Sequence, residues 1–269
     1  MYLAVDIGGT KTLVAAMSKS GEIVKSSKFP TPVEYADFKH ELKTNIQNLD
    51  TAFSRGVVAA PGKIDRDHGK LIACSNLSWK NVPLESDIER MSHCPIKLEN
   101  DTKLAGLSEA INIMDEFKNV LYVTVSTGIS SALVLNGVLD HGMLDSESGQ
   151  ILLEHDGKLR TWESFASGKA IVKKYGKRAS EIDDERTWRA ISKNIALGLV
   201  QLIAVVQPDV IVIGGGVGSH FKKFKKPLNE ILKKYETPMV AIPPVVGAIN
   251  AEEAVVYGCY HLARMSDNG

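Results

Sequence analysis

The chain has 269 residues, 44% of them hydrophobic and 24% charged, which is the make-up of a soluble globular protein with room for two modest domains or one large one. Lys and Arg total 32 and Asp and Glu total 32, so the formal net charge is zero and composition points away from nucleic acid and from an anionic membrane as partners. Cys74, Cys94 and Cys259 are widely separated and form no C-x-x-C pair, and the apolar start lacks a basic n-region and is interrupted by Asp6 and Lys11; a cytoplasmic protein is expected.

In chain order, Tyr2 to Val5 reads as a buried strand ending in Asp6, Gly8 and Gly9, and a second strand runs from Thr12 to Met17. The glycines then sit in a tight hairpin, where positive φ is expected and no Cβ blocks a ligand. Backbone N–H groups, the Thr10 hydroxyl and the Lys11 ammonium make this turn a candidate phosphate cradle, and Asp6 a candidate for holding Mg²⁺ through water. An ordinary hairpin with a charged tip would read the same. Glu22 to Phe29 is a third strand, ended by Pro30 and Pro32. Phe38, Leu42, Ile46 and Leu49 then recur at helical spacing over residues 33–49. Strands follow at Arg55 to Ala60, stopping at Pro61-Gly62, and at Lys70 to Cys74. A loop runs from Ser75 to Trp79, a short helix from Leu84 to about Met91, and a strand from Ile96 to Glu99. That strand ends in Asn100-Asp101, and a helix covers Thr102 to about Ile113.

The opening then repeats: strand Asn119 to Val125, turn Ser126-Thr127-Gly128, strand Ser130 to Leu135, turn Asn136-Gly137, strand Val138-Leu139. The duplication implies two α/β domains with a cleft between them. Thr161 to Tyr175 reads as a helix. Asp183 or Asp184 is placed to cap a long helix from Glu185 to Val206, striped by Trp188, Ile191, Ile195, Leu199, Leu202 and Val206. Although apolar, Ile195 to Ile213 is broken by Gln201, Gln207, Pro208 and Asp209 and reads as a buried helix and strand, not a membrane span. Gly214-Gly215-Gly216 follows at once. A basic helix (Phe221 to Tyr235, its lysines a solvated face), a strand near Met239 to Ile242 and a closing helix from Asn250 to about Arg264 complete the chain.

Asp6-Ile7-Gly8-Gly9-Thr10-Lys11, Ala60-Pro61-Gly62, Leu98-Glu99-Asn100-Asp101, Ser126-Thr127-Gly128 and Gly214-Gly215-Gly216 each sit at a strand end. In this order they resemble the ROK family of sugar kinases, within the two-domain actin/hexokinase-like (RNase H-like) α/β fold. Asn76-Leu77-Ser78-Trp79 and Glu163-Ser164-Phe165-Ala166-Ser167-Gly168 are similar to weaker family patterns. The resemblance covers nearly the whole chain. It implies an ATP- and Mg²⁺-dependent transfer of phosphate to a hydroxyl of a hexose or related small carbohydrate. Asp101 is then the general base, although an N-D pair also commonly caps a helix. Gly8, Gly9, Thr10, Lys11, Thr127 and Gly128 would hold phosphates, and Gly214, Gly215 and Gly216 would pass under the adenosine. Gly62, Asn76, Asn100, Asp101, Gln150, Glu163 and His155 would face the sugar. The resemblance further implies a homodimer, and a small domain of residues 1–105 plus about 250–269 beside a larger one of 106–249.

The chain departs from the family on the sugar side. Ser148-Gly149-Gln150-Ile151-Leu152-Leu153 puts Gln150 where the family has Glu and Leu153 where it has His. No cysteine lies between Leu153 and Glu163, so no structural zinc is expected. His141 and His155 read as loop residues, with His155 a partial replacement for the missing imidazole. A nucleotide- and sugar-binding sensor without turnover is the alternative function. A repressor of the same family is disfavoured because strand one leaves no room for a DNA-binding module. Polyphosphate is an alternative donor.

Overall fold

The computed structural model describes residues 1–74, 76–250 and 253–267. Ser75 of the expected loop, Ala251 and Glu252 of the expected last helix, and residues 268–269 lie outside the described residues. The chain divides into two compact units, Met1–Ser108 with Glu252–Gly269, and Glu109–Ala251.

The first unit comprises β1 (Tyr2–Ile7), β2 (Lys11–Met17), β3 (Ile23–Pro30), α1 (Tyr35–Asn48), β4 (Arg55–Ala60), β5 (Lys63–Asp65), β6 (Lys70–Ala73), β7 (Lys80–Val82), α2 (Leu84–Ser92), β8 (Ile96–Asn100) and the start of α3 (Asp101–Asn112). Its main sheet has the order β3-β2-β1-β4-β8. Strand β1 is antiparallel to β2 and parallel to β4, which is parallel to β8. Leu3, Val5 and Ile7 pack on one face with Phe38 and Leu42 of α1 and Leu84 and Ile88 of α2. Tyr2 and Ala4 point to the other face, against Val256, Cys259, Tyr260 and Ala263 of the C-terminal helix. Burial on both faces is why β1 is a continuous apolar run and not an alternating one.

The second unit contains β9 (Asn119–Val125), β10 (Ile129–Leu135), β11 (Val138–Leu139), β12 (Leu152–His155), β13 (Lys158–Thr161), α4 (Glu163–Ala166), α5 (Gly168–Tyr175), α6 (Glu185–Val206), β14 (Val210–Gly214), α7 (Gly215–Gly218), α8 (Phe221–Leu232) and β15 (Val245–Gly247); α9 (Ala254–Asp267) belongs to the first unit. Its sheet order, β11-β10-β9-β14-β15, repeats the first sheet strand for strand. Among the described residues α6 is the one helix with the length and hydropathy of a membrane span. Its Trp188, Ile191, Ile195, Leu199 and Leu202 pack into the unit's core beside Phe224 and Leu228 of α8.

Several local expectations are corrected. Residues 161–175 are not one helix: β13 ends at Thr161, and Ser167, in extended conformation, separates α4 from α5 and accepts from Ala170 N–H with its Oγ. Residues 152–161 pair as a hairpin closed by Asp156 and Gly157, both at positive φ (53° and 70°), the left-handed geometry that a D-G turn favours. No strand forms at 239–242. Thr237 and Val240 form only an isolated bridge there, and the strand beside β14 is β15, beyond Pro243-Pro244. The closing helix begins at Ala254. Asp184, not Asp183, caps α6, with Oδ1 accepting Thr187 N–H at 2.8 Å. Asp183 instead pairs with Lys223 of the basic helix.

Candidate active site

In the first unit the candidate residues gather where β1, β4 and β8 end. Neither Gly8 nor Gly9 has positive φ, which corrects the expectation for the hairpin. Space is what excludes side chains there. A Cβ on Gly8 would stand 2.8 Å from the Lys11 carbonyl oxygen, and one on Gly9 would stand 2.7 Å from Asn76 Cβ. The turn therefore lies directly against the Asn76 loop, while Thr10 and Lys11 project outward, exposed. Thr31, a residue the sequence did not mark, braces it: its Oγ1 donates to Gly8 O at 2.8 Å and meets Thr12 Oγ1 at 2.9 Å.

Strand β8 delivers Asn100 and Asp101 to the start of α3. The helix is capped by Asn100, whose Oδ1 accepts from Thr102 N–H (3.0 Å) and Lys103 N–H (3.3 Å). Its Nδ2 donates to the carbonyl of Gly62, which sits at φ +91° where a Cβ would strike Ala73 O at 2.3 Å. Only one amide N–H of Asn100 is left for a ligand. Asp101 is thus not the capping residue, although Thr102 N–H donates to its Oδ1 at 2.6 Å. Burial raises its carboxyl above the usual aspartate range, against the Thr102 bonds and the Lys103 charge, which pull it down. Asp6, at the end of β1, is pushed up to about 7, first by burial and then by the Asp101 charge, with Lys28 opposing. The Asp101 charge thus reaches Asp6, and burial makes both carboxyls harder to ionise.

In the second unit three segments converge on one carboxylate. Glu163 Oε1 accepts from Gln150 Nε2 at 2.8 Å, and Oε2 accepts from Ile129 N–H at 3.3 Å. The Oε2 atom lies 2.7 Å from a Cβ built on Gly128 and 3.0 Å from one built on Gly149. Leu153 is packed against the apolar core. His155 is turned elsewhere: its ring stacks on Phe165 (centroids 4.1 Å) and its Nε2 lies 3.3 Å from Asn194 Oδ1. Among the described residues no group of three or more His, Cys, Asp or Glu side chains is placed to hold a metal ion.

Beside Thr127 opens a cavity of about 810 Å³ walled by Lys169, Val172, Ala179, Gly216 and Val217. The three consecutive glycines differ in why they are glycine. A Cβ on Gly214 would meet Tyr122 Oη at 2.2 Å, Gly215 has φ +81°, and a Cβ on Gly216 would meet nothing within 4 Å. Gly216 alone therefore keeps open space clear. The sequence did not mark Lys169, Val172 or Ala179. The signal for Lys169 and Val172 was the S-G start of α5, which aims a helix face at the cavity; Ala179 lies past the end of that helix.

The family model for the ROK family matches residues 2–266. A glucokinase of Halalkalibacterium halodurans is 29% identical, over 89% of this chain and 87% of its own. An N-acetyl-D-glucosamine kinase of Salmonella paratyphi C is 26% identical, over 97% and 99%. Among solved structures, a ROK family glucokinase from Streptomyces griseus in complex with glucose and AMPPNP superposes with a TM-score of 0.82 at 21% identity, covering 98% of this chain and 99% of that one. The chain has the actin/hexokinase-like fold of these proteins. By a match spanning almost its whole length, it belongs to the ROK family.

Proposed function

We propose that this protein phosphorylates a hydroxyl of a hexose or related small carbohydrate with ATP, using Asp101 as general base. It is a carbohydrate kinase, a phosphotransferase with an alcohol acceptor. The observation that carries the catalytic assignment is the capping of α3 by Asn100, which leaves the half-buried Asp101 carboxylate at the helix start with a raised proton affinity. Asp101 takes the proton of the acceptor hydroxyl as that oxygen bonds to the γ-phosphorus. The bond from the γ-phosphorus to the β,γ-bridging oxygen breaks, and ADP leaves with the electron pair.

Gly8, Gly9, Thr10, Lys11, Thr127 and Gly128 hold the phosphates in this reading, and Gly214, Gly215 and Gly216 border the nucleoside. Lys169, Val172 and Ala179 join them on the cavity walls. Gly62, Asn76, Asn100, Gln150 and Glu163 face the sugar. The His155 ring, stacked on Phe165, does not join them in this reading. Asp6 offers the hard oxygen donor that Mg²⁺ prefers, and its raised affinity for a proton fits a site made for positive charge. Asp6 would hold the ion through water; when bound, it neutralises phosphate charge. No structural zinc enters the proposal, because the D-G hairpin takes up the segment between Leu153 and Glu163. The reading includes two domains, residues 1–105 with 250–269 and 106–249, a cytoplasmic location, a homodimer, and neither nucleic acid nor membrane as partner.

The test is ADP release with ATP and Mg²⁺ across hexoses, N-acetylated hexosamines and polyols, with Asp101→Asn alongside. One acceptor should raise turnover by orders of magnitude and lose it in the variant. No acceptor-dependent turnover with ATP or polyphosphate would sink the proposal.

A further inference from the structure

Next to Asn100 along β8 lies a partly buried ion pair with no role so far. Glu99 is 2% exposed, and its two oxygens are held by one guanidinium: Arg66 Nε donates to Oε2 at 2.9 Å and Nη2 to Oε1 at 2.5 Å. Oε1 also accepts the backbone N–H of Asn100 at 2.7 Å. Asn100 in turn caps α3 and holds Gly62. The links run without a gap from Arg66 to the residue that sets the start of α3.

We infer that Arg66 is a positioning residue for phosphoryl transfer, clamping Glu99 so that Asn100 fixes the peptide from which the Asp101 carboxylate is presented. The inference rests on the proposed role of Asp101. Arg66 follows the short strand β5, whose other purpose would be to close a small three-stranded sheet. A guanidinium suits the task because its planar fork fixes both carboxylate oxygens at once, which an ammonium cannot do. Sequence alone could not reveal the link, since Arg66 and Glu99 are 33 positions apart.

Two readouts test it on the full chain, one of them independent of turnover. Arg66→Met and Arg66→Lys should lower kcat about a hundredfold, as a small misplacement of a reacting group does, with KM for ATP within about twofold of wild type. In the free protein, hydrogen exchange of the Thr102 and Lys103 amides should speed by about tenfold or more, while β9 amides are unchanged. Removing the guanidinium leaves Glu99 buried and unpaired, so Arg66→Met alone could fail to fold. The double variant Arg66→Met/Glu99→Gln is neutral there. It should recover wild-type Tm while kcat stays low. Recovery of kcat together with Tm, or unchanged exchange at Thr102 and Lys103 in the Arg66 variants, would overturn the inference. If wild type turns over no acceptor, the kinase reading fails, and the exchange measurement alone decides the clamp.

Discussion

The two sheets share one topology and divide the chemistry. In the first, the last residue of β1 paired to its parallel neighbour is Asp6, opposite Ala59; in the second, the equivalent residue of β9 is Thr124, opposite Gly214. One duplicated backbone therefore places a carboxyl at one strand end and a hydroxyl at the other. The first unit then adds Asp101 and becomes an acidic corner in which both carboxyls hold protons more tightly than usual. The second adds Thr127, Lys169 and an open glycine floor and becomes a cavity with cationic walls. A repeated fold sets where strand ends fall, and the residues at those ends decide what each half does.

The comparison breaks most visibly at Asp101. Asp101→Asn keeps shape but cannot take a proton, so turnover should fall by about 10³-fold with acceptor binding retained. A calorimetric titration beside the kinetic assay checks both parts; a fall under tenfold would show that the acidic corner does not supply the base.

The second unit can be broken at its floor, where glycines two positions apart should respond oppositely. Gly216→Val enters open space and should weaken ATP about tenfold or more, at unchanged Tm, because it occupies volume the nucleotide needs. Gly214→Ala meets Tyr122 instead and should lower Tm, by roughly 1–3 kcal/mol of overpacking, before it affects ATP. Equal effects of the two on ATP affinity would show that the cavity is not the nucleotide site.

Asp6 sharpens the contrast through pH. Its folded pKa, about 7, lies above the ordinary value of 3.8, so the folded state holds the extra proton between these limits. Its contribution to stability is present in full below pH 4 and is lost as pH rises through 7. Asp6→Asn should therefore be more stable than wild type at pH 8, by on the order of 3 kcal/mol, and equal to it near pH 4. Denaturant unfolding at the two pH values reads this directly. A constant difference would mean the corner does not disfavour charge.

The smallest effect is expected at Glu163, the carboxylate proposed to face the sugar. Gln150→Ala removes one hydrogen bond to Glu163, a loss of about 1 kcal/mol, so KM for the acceptor should rise roughly fivefold with KM for ATP unchanged. A change in KM for ATP would separate Gln150 from the acceptor.

Much of this was legible in the chain. Apolar runs ending in Gly or Asn-Asp marked the strand ends, because a parallel strand buried on both faces needs an unbroken hydrophobic stretch and must stop where the backbone meets a ligand or a helix. The duplicated order of strands and turns could be read for the same reason. Three other features could not be read so easily. Thr31 acts from the end of β3, which runs beside the hairpin, and Arg66 through a partner far along the chain; neither leaves a periodic trace. The break at Ser167 was hidden because residues on both sides favour helix, and only the hydroxyl that starts α5 marks the interruption. The positive φ expected of Gly8 and Gly9 was wrong in mechanism though right in residue, since close packing against Lys11 and Asn76 excludes a Cβ there.

The Asp156-Gly157 turn has a consequence for how the acceptor side assembles. Strands β12 and β13 lie next to each other in sequence, and hairpins of this kind close in about 1–10 μs. A loop held by a metal must wait for its ligands to lose protons and for the ion to arrive. Here the hairpin joins Gln150 to Glu163 through neighbouring residues, with no cysteine among them to oxidise or to bind an ion. Refolding of this corner should proceed at the same rate with and without EDTA.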